Sequence, residues 1–369
     1  MQFSEIIGQS EIKARLLRSI NEDKISHAQL FAGAEGVGKL PLAIAYAQYV
    51  CCTNKRGDDS CGTCPSCTKF KKLAHPDLHF VFPVVNSSVS DDFIKEWREM
   101  IAGHTYFTYN QWLAKLNAEN KQAIIYSKES EEITRKLNLK SYESDYKVMI
   151  IWQPEKMHES CANKLLKLLE EPPTKTLFVL VSEKPDALLA TIQSRVQRTN
   201  VPNIAVPELV EALVRRYGIS TGEATNIARI AGGSYTAARE NLEASAENRE
   251  NLEQFIAIMR LAYTKDVKGI KAWAEQMAGI GRERQKIFLN YAQRMIRENF
   301  MLNFQTQELN YMTSEEQNFS QKFAPFINER NVFDIMAEFA LAERHIEQNV
   351  NAKMVFFDLA LKFIVLLKR

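Results

Sequence analysis

The stretch from His27 to Lys39 reads HAQLFAGAEGVGK and decides the fold of the first part of the chain. Its apolar beginning, His27 to Gly33, is typical of a buried strand that leads into a loop. The remainder has the spacing G-x-x-x-x-G-K, and Leu40 to Val50 follows with helical periodicity. A glycine-rich turn between a strand and a helix can cradle phosphate with its backbone N–H groups. The predicted phosphate loop consists of Gly33, Gly36, Gly38 and Lys39.

Two later apolar runs extend this pattern into a sheet. Val148 to Trp152 and Leu177 to Val181 are apolar at every position and rich in β-branched residues. Such runs indicate strands that are buried on both faces, as in a parallel sheet covered by helices. Between them, Ser160 to Glu171 has a helical pattern that stops at Pro172. The predicted fold class of this part is therefore α/β.

The rest of the chain has a different character. After about Val206, apolar residues recur at helical intervals without strand-like runs, so this region is predicted to be all-helical. Within the α/β part, the polar stretch from Val84 to Asp145 is long for a connection and carries short helical patterns around Trp97 and Trp112. It is predicted to be an insertion, and the sequence does not reveal its role.

The residues that would hold Mg²⁺ beside the phosphate loop are replaced. The position after Lys39 needs the hydroxyl of Ser or Thr, but it holds Leu40, which cannot ligate a metal. The strand from Val148 is followed by Trp152 and Gln153 where an Asp and a Glu normally bind Mg²⁺ and polarise water. We therefore expect no ATP hydrolysis, while residual nucleotide binding by the backbone cradle stays open.

Four of the six cysteines crowd into a short loop after the phosphate-loop helix, with the spacing C-x8-C-x2-C-x2-C. This spacing predicts a closed tetrahedral Zn²⁺ site of structural type. Cys51 could replace the first ligand but is expected to face the helix core, and free thiols or a redox pair are the alternatives. Because such crowding points to metal rather than disulfides, a reducing compartment, most simply the cytoplasm, is expected. The predicted ligands are Cys52, Cys61, Cys64 and Cys67.

Composition and charge restrict the class of protein. The 369 residues include 46% apolar and 25% charged residues, an ordinary globular balance that suits two or three domains. A net charge of +2 is too small to predict nucleic-acid binding across the whole surface, although a local basic strip is compatible with it. The apolar stretch from Met354 to Leu367 is shorter than a membrane span and contains charges. We expect a soluble protein without a secretory signal.

Ser194 and Arg195 follow the last apolar run by about a dozen residues. Taken alone, this arginine would be a surface residue or a member of a structural ion pair. Three stretches give it more meaning when they are read together: the glycine-rich loop with its cysteine insert, Leu165 to Pro173, and Leu189 to Arg195. Together they resemble the clamp-loader ATPase branch of AAA+ proteins, over roughly residues 3 to 240.

This resemblance implies an architecture and a role. The implied domains are an AAA+ α/β module over 1–205, with a zinc module at 51–70 and the insertion at about 84–145, a helical lid over 206–245, and a helical collar over 246–369. Loss of the metal-binding residues points, within the family, to the delta-prime subunits of the DNA polymerase III clamp loader. Arg195 would then be an arginine finger that acts in trans on the ATP of a motor subunit. The family usually has cysteine where this chain has Val196.

The implied partners are gamma/tau motor subunits and the delta subunit in a hetero-pentamer, with the sliding clamp and primed DNA reached through the complex. Two alternatives stay open from the residues. An active clamp-loader ATPase would draw Mg²⁺ ligands from unexpected positions such as Glu155 or Glu159 and would turn over in isolation. A zinc-containing DNA-binding protein with a degenerate phosphate loop would bind DNA alone, with salt-sensitive affinity.

Overall fold

The computed structural model describes residues 1–119, 121–303, 312 and 314–368. The chain divides into two compact units, Met1–Asn241 and Leu242–Arg369, which are described separately here. The predicted boundary at residue 245 falls inside one continuous helix, Tyr235–Thr264, which also contains the division at residue 241. The predicted extents of lid and collar stay predictions.

The first unit is built on a parallel sheet. Among the described residues, the sheet has five strands in the spatial order β2-β3-β4-β1-β5, and every neighbouring pair is parallel. The strands are β1 (Ala28–Ala32), β2 (Leu78–Val81), β3 (Lys147–Trp152), β4 (Thr176–Ser182) and β5 (Gln197–Asn200). All residues of β1, β3 and β4 are buried, as strands covered by helices on both faces must be. The predicted α/β class is confirmed.

Among the described residues, eight α-helices precede β5 in the sequence. They are α1 (Ser10–Asn21), α2 (Lys39–Val50), α3 (Pro65–Lys71), α4 (Ile94–Gly103), α5 (Tyr109–Lys115), α6 (Glu129–Asn138), α7 (Glu159–Glu170) and α8 (Ala190–Gln193). Every residue of α2 is buried, so this helix forms the centre of the larger core.

The insertion, residues 84–145, contributes α4, α5 and α6 and is anchored by aromatic packing. Trp97 and Trp112 are fully buried, and Trp97 stacks on Phe82 at a centroid distance of 4.2 Å. The Trp97 ring also lies 5.3 Å from that of Trp152 at the end of β3. Aromatic pairs of this kind stabilise the fold by about 0.5–1.5 kcal/mol each, beyond the contribution of the buried area. These contacts make the insertion an integral part of the first unit.

Residues 206–241, which we call the lid segment, complete the first unit. They comprise α9 (Val206–Tyr217), α10 (Thr221–Ile230) and the beginning of α11 (Tyr235–Thr264). The turn between α10 and α11 contains Gly232 and Gly233, both with positive φ, as expected for a break between helices.

In its described residues the second unit is all-helical, which confirms the prediction. Its helices after α11 are α12 (Val267–Gly279), α13 (Arg282–Leu302), α14 (Ser314–Phe323), α15 (Val332–Glu347) and α16 (Ala352–Leu366). Phe255, Phe288, Phe339 and Phe356 are fully buried in its core. Among the residues that the structure describes, no helix combines the length and apolar character needed to cross a membrane.

Candidate functional site

The glycine-rich loop joins β1 to α2, as predicted, and the lid segment packs directly on it. Gly36 has φ 79°, and a Cβ at this position would lie 2.1 Å from Ser234 Oγ and 2.3 Å from Thr236 Oγ1. Its carbonyl oxygen accepts a hydrogen bond of 3.0 Å from the backbone N–H of Tyr235. Gly36 is therefore required by the close approach of the lid segment as well as by the turn.

Lys39 is turned into the protein. It is 5% exposed, and its ammonium donates a hydrogen bond to the carbonyl oxygen of Ala34 in the same loop. Burial lowers the pKa of Lys39, and the nearby carboxylates of Glu183, Glu155 and Glu35 act in the opposite direction. Burial raises the pKa of Glu183, and the positive charge of Lys39 offsets part of this rise. The ammonium that would meet phosphate is thus buried and hydrogen-bonded within its own chain.

The positions that should bind Mg²⁺ and polarise water hold Leu40, Trp152 and Gln153, as the sequence indicated. Leu40 is buried, and Gln153 is 2% exposed with a left-handed backbone (φ 53°) fixed by a 2.8 Å hydrogen bond from its N–H to the carbonyl oxygen of Val181. Glu155 accepts hydrogen bonds from the backbone N–H groups of Glu183 (2.9 Å) and Lys184 (3.1 Å). Its Oε1 therefore serves to hold the chain after β4.

Tyr106 covers the phosphate loop, and sequence reasoning missed it. Its hydroxyl accepts a hydrogen bond of 3.1 Å from the N–H of Ile7 and lies 3.0 Å from the position of a Cβ on Gly38. The space left at the loop is about 30 Å³, bordered also by Phe107 and Trp152. Pockets for ligands of nucleotide size measure roughly 300–1,000 Å³. Tyr106 lies far from the loop in sequence and inside the insertion, so no local pattern could have revealed this contact.

The structure brings the four predicted metal ligands together. The sulfur atoms of Cys52, Cys61, Cys64 and Cys67 all lie within 4.8 Å of one another. Cys61 Sγ is 3.7 Å from Cys52 Sγ and 3.9 Å from Cys67 Sγ, too far for a disulfide. A tetrahedral Zn²⁺ with bonds of about 2.3 Å separates its sulfur ligands by roughly 3.8 Å, so the four thiols fit the ion.

Backbone N–H groups support this cysteine cluster. Cys61 Sγ accepts from the N–H of Cys64 at 3.2 Å, and Cys64 Sγ accepts from that of Cys67 at 3.4 Å. Hydrogen bonds from the backbone of Thr63 and Cys64 lower the pKa of Cys61 to about 6. By contrast, burial raises the pKa of Cys51 to about 12, and its sulfur contacts Ser144 rather than the cluster. The cluster can bind a metal ion, and its thiols suit zinc.

Arg195 lies in the turn between α8 and β5 and is about one-third exposed. Its guanidinium donates to the carbonyl oxygen of Thr191 at 2.8 Å and to Ser194 Oγ at 3.3 Å. It also forms an ion pair with Glu170, the last residue of α7. The Leu-Leu-Glu-Glu-Pro-Pro and Ser-Arg stretches, which are separate in sequence, therefore meet in the structure.

Arg195 and the phosphate loop lie at opposite ends of the parallel strands. β5 runs parallel to β1 with Gln197 opposite Gln29, so Arg195 precedes the amino end of β5. The phosphate loop follows the carboxyl end of β1. The five residues of β1, with a length of roughly 16 Å, separate these two ends. Arg195 and the phosphate loop of its own chain therefore lie at different ends of the strands.

The chain is similar to several bacterial proteins over about half of its length. It is 33% identical to the DNA polymerase III subunit delta' of Bacillus subtilis over 189 residues, 51% of this chain and 46% of the relative. The corresponding protein of Haemophilus influenzae is 30% identical over 52% of this chain and 47% of the relative. The DNA polymerase III subunit tau of Bacillus subtilis is 27% identical over 57% of this chain and 30% of that protein. The chain thus spans about half the length of the two delta' relatives.

A family match covers the sheet and the sites described above. Residues 8–205 match the family described as DNA polymerase III, delta subunit, and this range is more than half of the chain. It includes the glycine-rich loop, the cysteine cluster, the insertion and Arg195. The chain belongs to the DNA polymerase III delta subunit family.

Proposed function

We propose that this chain is a non-hydrolysing subunit of a bacterial clamp loader, which helps to load the sliding clamp onto primed DNA in the cytoplasm. In this role it supplies Arg195 in trans to the ATP site of a neighbouring motor subunit. The family membership and the similarity to proteins named delta' and tau support a place in such a complex. Its partners are gamma/tau motor subunits and a delta subunit in a hetero-pentamer.

The observation that carries the proposal is the position of Arg195 relative to the phosphate loop. Because the two lie at opposite ends of the strands, an arginine finger at this position has to act on another chain. A guanidinium placed beside a γ-phosphate offsets the negative charge that develops during phosphoryl transfer. Arg195 is fixed in orientation by hydrogen bonds to Thr191 and Ser194, and its exposed side allows a neighbour to approach.

Glu170 has to release Arg195 when a neighbouring phosphate arrives. Both side chains of this ion pair are partly exposed, and exposed ion pairs contribute about 0–1 kcal/mol to stability. Exchange of the carboxylate for the more highly charged phosphate therefore costs little. The pair would hold the arginine near its working position before assembly.

The metal positions support the absence of hydrolysis. Leu40 offers no oxygen ligand, Gln153 carries no charge, and Glu155 is engaged by backbone N–H groups. Phosphoryl transfer depends on Mg²⁺ to bridge and neutralise the phosphates. In the cysteine cluster, a bound Zn²⁺ would supply structure rather than reactivity, because four sulfur ligands leave no open coordination position.

The test is ATP hydrolysis by the complex reconstituted with motor subunits, delta subunit, clamp and primed DNA. With Arg195→Ala, the complex should assemble normally while hydrolysis at the neighbouring site falls by roughly 10³-fold. Arg198→Ala is the matched control, since Arg198 is exposed nearby and pairs with Asn200.

Each contrary result points to a different error. Unchanged hydrolysis with Arg195→Ala would refute the arginine finger, and failure of the unaltered chain to join the motor subunits would refute the clamp-loader role. Turnover of ATP by the isolated chain would instead favour the active ATPase.

A further inference from the structure

The cover segment, residues 104–111, belongs to the insertion and runs across the mouth of the phosphate loop. It leads from the end of α4 into α5 and contains Tyr106, Phe107 and Gln111. Tyr106 and Phe107 are buried, and together with Trp152 they leave about 30 Å³ at the loop, room for roughly two water molecules. This space is far smaller than a triphosphate with its base requires.

Tyr106 makes contacts on the α/β side of this space. Its hydroxyl accepts a hydrogen bond from the buried N–H of Ile7 at 3.1 Å. Its ring lies against Gly38, where even a methyl group would approach the hydroxyl oxygen to 3.0 Å. The neighbouring Phe107 packs on Trp152 with ring centroids 5.3 Å apart, which joins the cover segment to the end of β3. Both aromatic side chains therefore fix the segment over the loop.

The same segment is tied to the lid segment by polar contacts. Arg239 donates to the carbonyl oxygen of Tyr106 at 3.3 Å and to Gln111 Oε1 at 3.0 Å. Gln111 in turn donates to Glu240 Oε1 at 3.2 Å. These bonds join the first turns of α11 to the cover segment from two directions.

An aromatic stack completes the tie to the lid segment. The rings of Tyr106 and Tyr235 meet edge-on at a centroid distance of 4.9 Å. The guanidinium of Arg216 on α9 lies 5.0 Å from the Tyr235 ring and 6.0 Å from the Tyr106 ring. Two helices of the lid segment are thus joined to one side chain of the insertion. Cation–π and ring–ring contacts of this kind stabilise the packing beyond the area they bury.

We infer that the cover segment is an internal ligand, in which Tyr106 excludes nucleotide from the phosphate loop and holds the lid segment closed in its place. Lys39 is buried, and its ammonium already donates a hydrogen bond to the carbonyl oxygen of Ala34 in the same loop. The inference builds on the proposed non-hydrolysing role and assigns the insertion a function within it. It concerns the chain alone, so its test is independent of Arg195 and of assembly.

The experiment is hydrogen exchange of the full chain, with and without ATP and Mg²⁺, read at the amides of α9 and of the first turns of α11. In the unaltered chain these amides should be protected, and ATP at about 1 mM should change nothing. In Tyr106→Ala they should exchange about 10-fold faster, because the variant loses the ring contact with Tyr235 and the cation–π contact with Arg216, which together are comparable to the free energy of a tenfold change. β3 and β4 should stay protected.

Three further variants keep the inference testable. Tyr142→Ala is the matched control, since Tyr142 lies in the same insertion and is 80% exposed. In this variant the amides of the lid segment should exchange as fast as in the unaltered chain. Tyr106→Phe keeps the ring contacts and should keep most of the protection. If Tyr106→Ala also exposes β3 and β4, Arg239→Gln decides, because it removes the tie from the lid side.

Two results would overturn the inference. One is lid exchange at the unaltered rate in a folded Tyr106→Ala or in Arg239→Gln. The other is an unaltered chain whose lid amides become more protected when ATP is added, since that protection would show an open nucleotide site. Either result would leave the claim about Arg195 standing.

Discussion

The phosphate loop and the cysteine cluster lie at the two ends of the same buried helix, α2, and they differ in how much of a ligand site each one preserves. At the amino end of α2 the glycine spacing survives, but Tyr106 and the lid segment fill the place of a ligand. Just beyond its carboxyl end, four sulfur atoms lie at the separations that a tetrahedral ion requires. Side chains of the protein fill the phosphate loop, whereas the cysteine cluster has the geometry of a metal site.

This difference shows what each motif can prove. Glycines of the loop also satisfy packing, because a Cβ on Gly36 would lie 2.1 Å from Ser234 Oγ and one on Gly38 would lie 3.0 Å from the Tyr106 hydroxyl. They can therefore persist after nucleotide is lost. Packing gives no comparable reason for four thiols to converge within 4.8 Å, since free thiols gain little from such a contact. The cysteine spacing is accordingly the stronger indicator of a bound ligand.

The largest effect is expected at the cysteine cluster. Cys67→Ser should remove about one zinc ion per chain and lower the free energy of unfolding by about 3 kcal/mol or more, because a structural zinc site contributes its binding free energy to folding. Metal analysis and thermal unfolding, with and without chelator, measure both. Cys51→Ala is the control and should keep its zinc, since Cys51 lies outside the cluster. Equal zinc content in both variants would contradict the assignment of ligands.

A smaller effect is expected where the cysteine loop holds the amino terminus. The carboxylate of Asp59 accepts hydrogen bonds from the N–H groups of Phe3 and Ser4, both at 2.9 Å. Asp59→Ala should lower the free energy of unfolding by about 1–3 kcal/mol, because it removes charge-assisted hydrogen bonds. Denaturant unfolding measures the change, with the exposed Asp58→Ala as control. An equal loss in both variants would argue against this structural role of the loop.

The smallest effect is expected from restoring the missing metal ligands. A chain with Leu40→Thr, Trp152→Asp and Gln153→Glu should show no ATP turnover above background, because Tyr106 still fills the loop and Lys39 is still turned into the protein. A steady-state assay with a motor subunit as positive control measures this, after circular dichroism has shown that the variant is folded. Mg²⁺-dependent turnover would mean that the loop had lost only its metal ligands.

The sequence predicted the interior of the sheet better than its edges. β1, β3 and β4 are apolar runs buried on both faces, so their pattern was visible. β5 consists of four polar residues, three of them exposed, and is specified by its pairing with β1. β2 is a run of four residues interrupted by His79. Neither edge strand has a local pattern, because tertiary pairing determines both.

The candidate sites divide in the same way. The cysteine ligands follow from their spacing, and Arg195 follows from the stretch around it. The pairing of Arg195 with Glu170 and the contact of Tyr106 with Gly38 join residues far apart in the sequence. Such contacts depend on how the insertion and α7 pack, which periodicity cannot show.

The most direct test of the account compares Lys39→Ala with Arg195→Ala in the reconstituted complex, by clamp- and DNA-stimulated ATP hydrolysis. For Lys39→Ala we expect hydrolysis within about twofold of the unaltered complex, because the phosphate loop of this chain takes no part in the reaction. For Arg195→Ala we expect the rate of hydrolysis at the neighbouring site to fall by roughly 10³-fold. The reverse result, with loss for Lys39→Ala in an assembled complex and full activity for Arg195→Ala, would contradict this account.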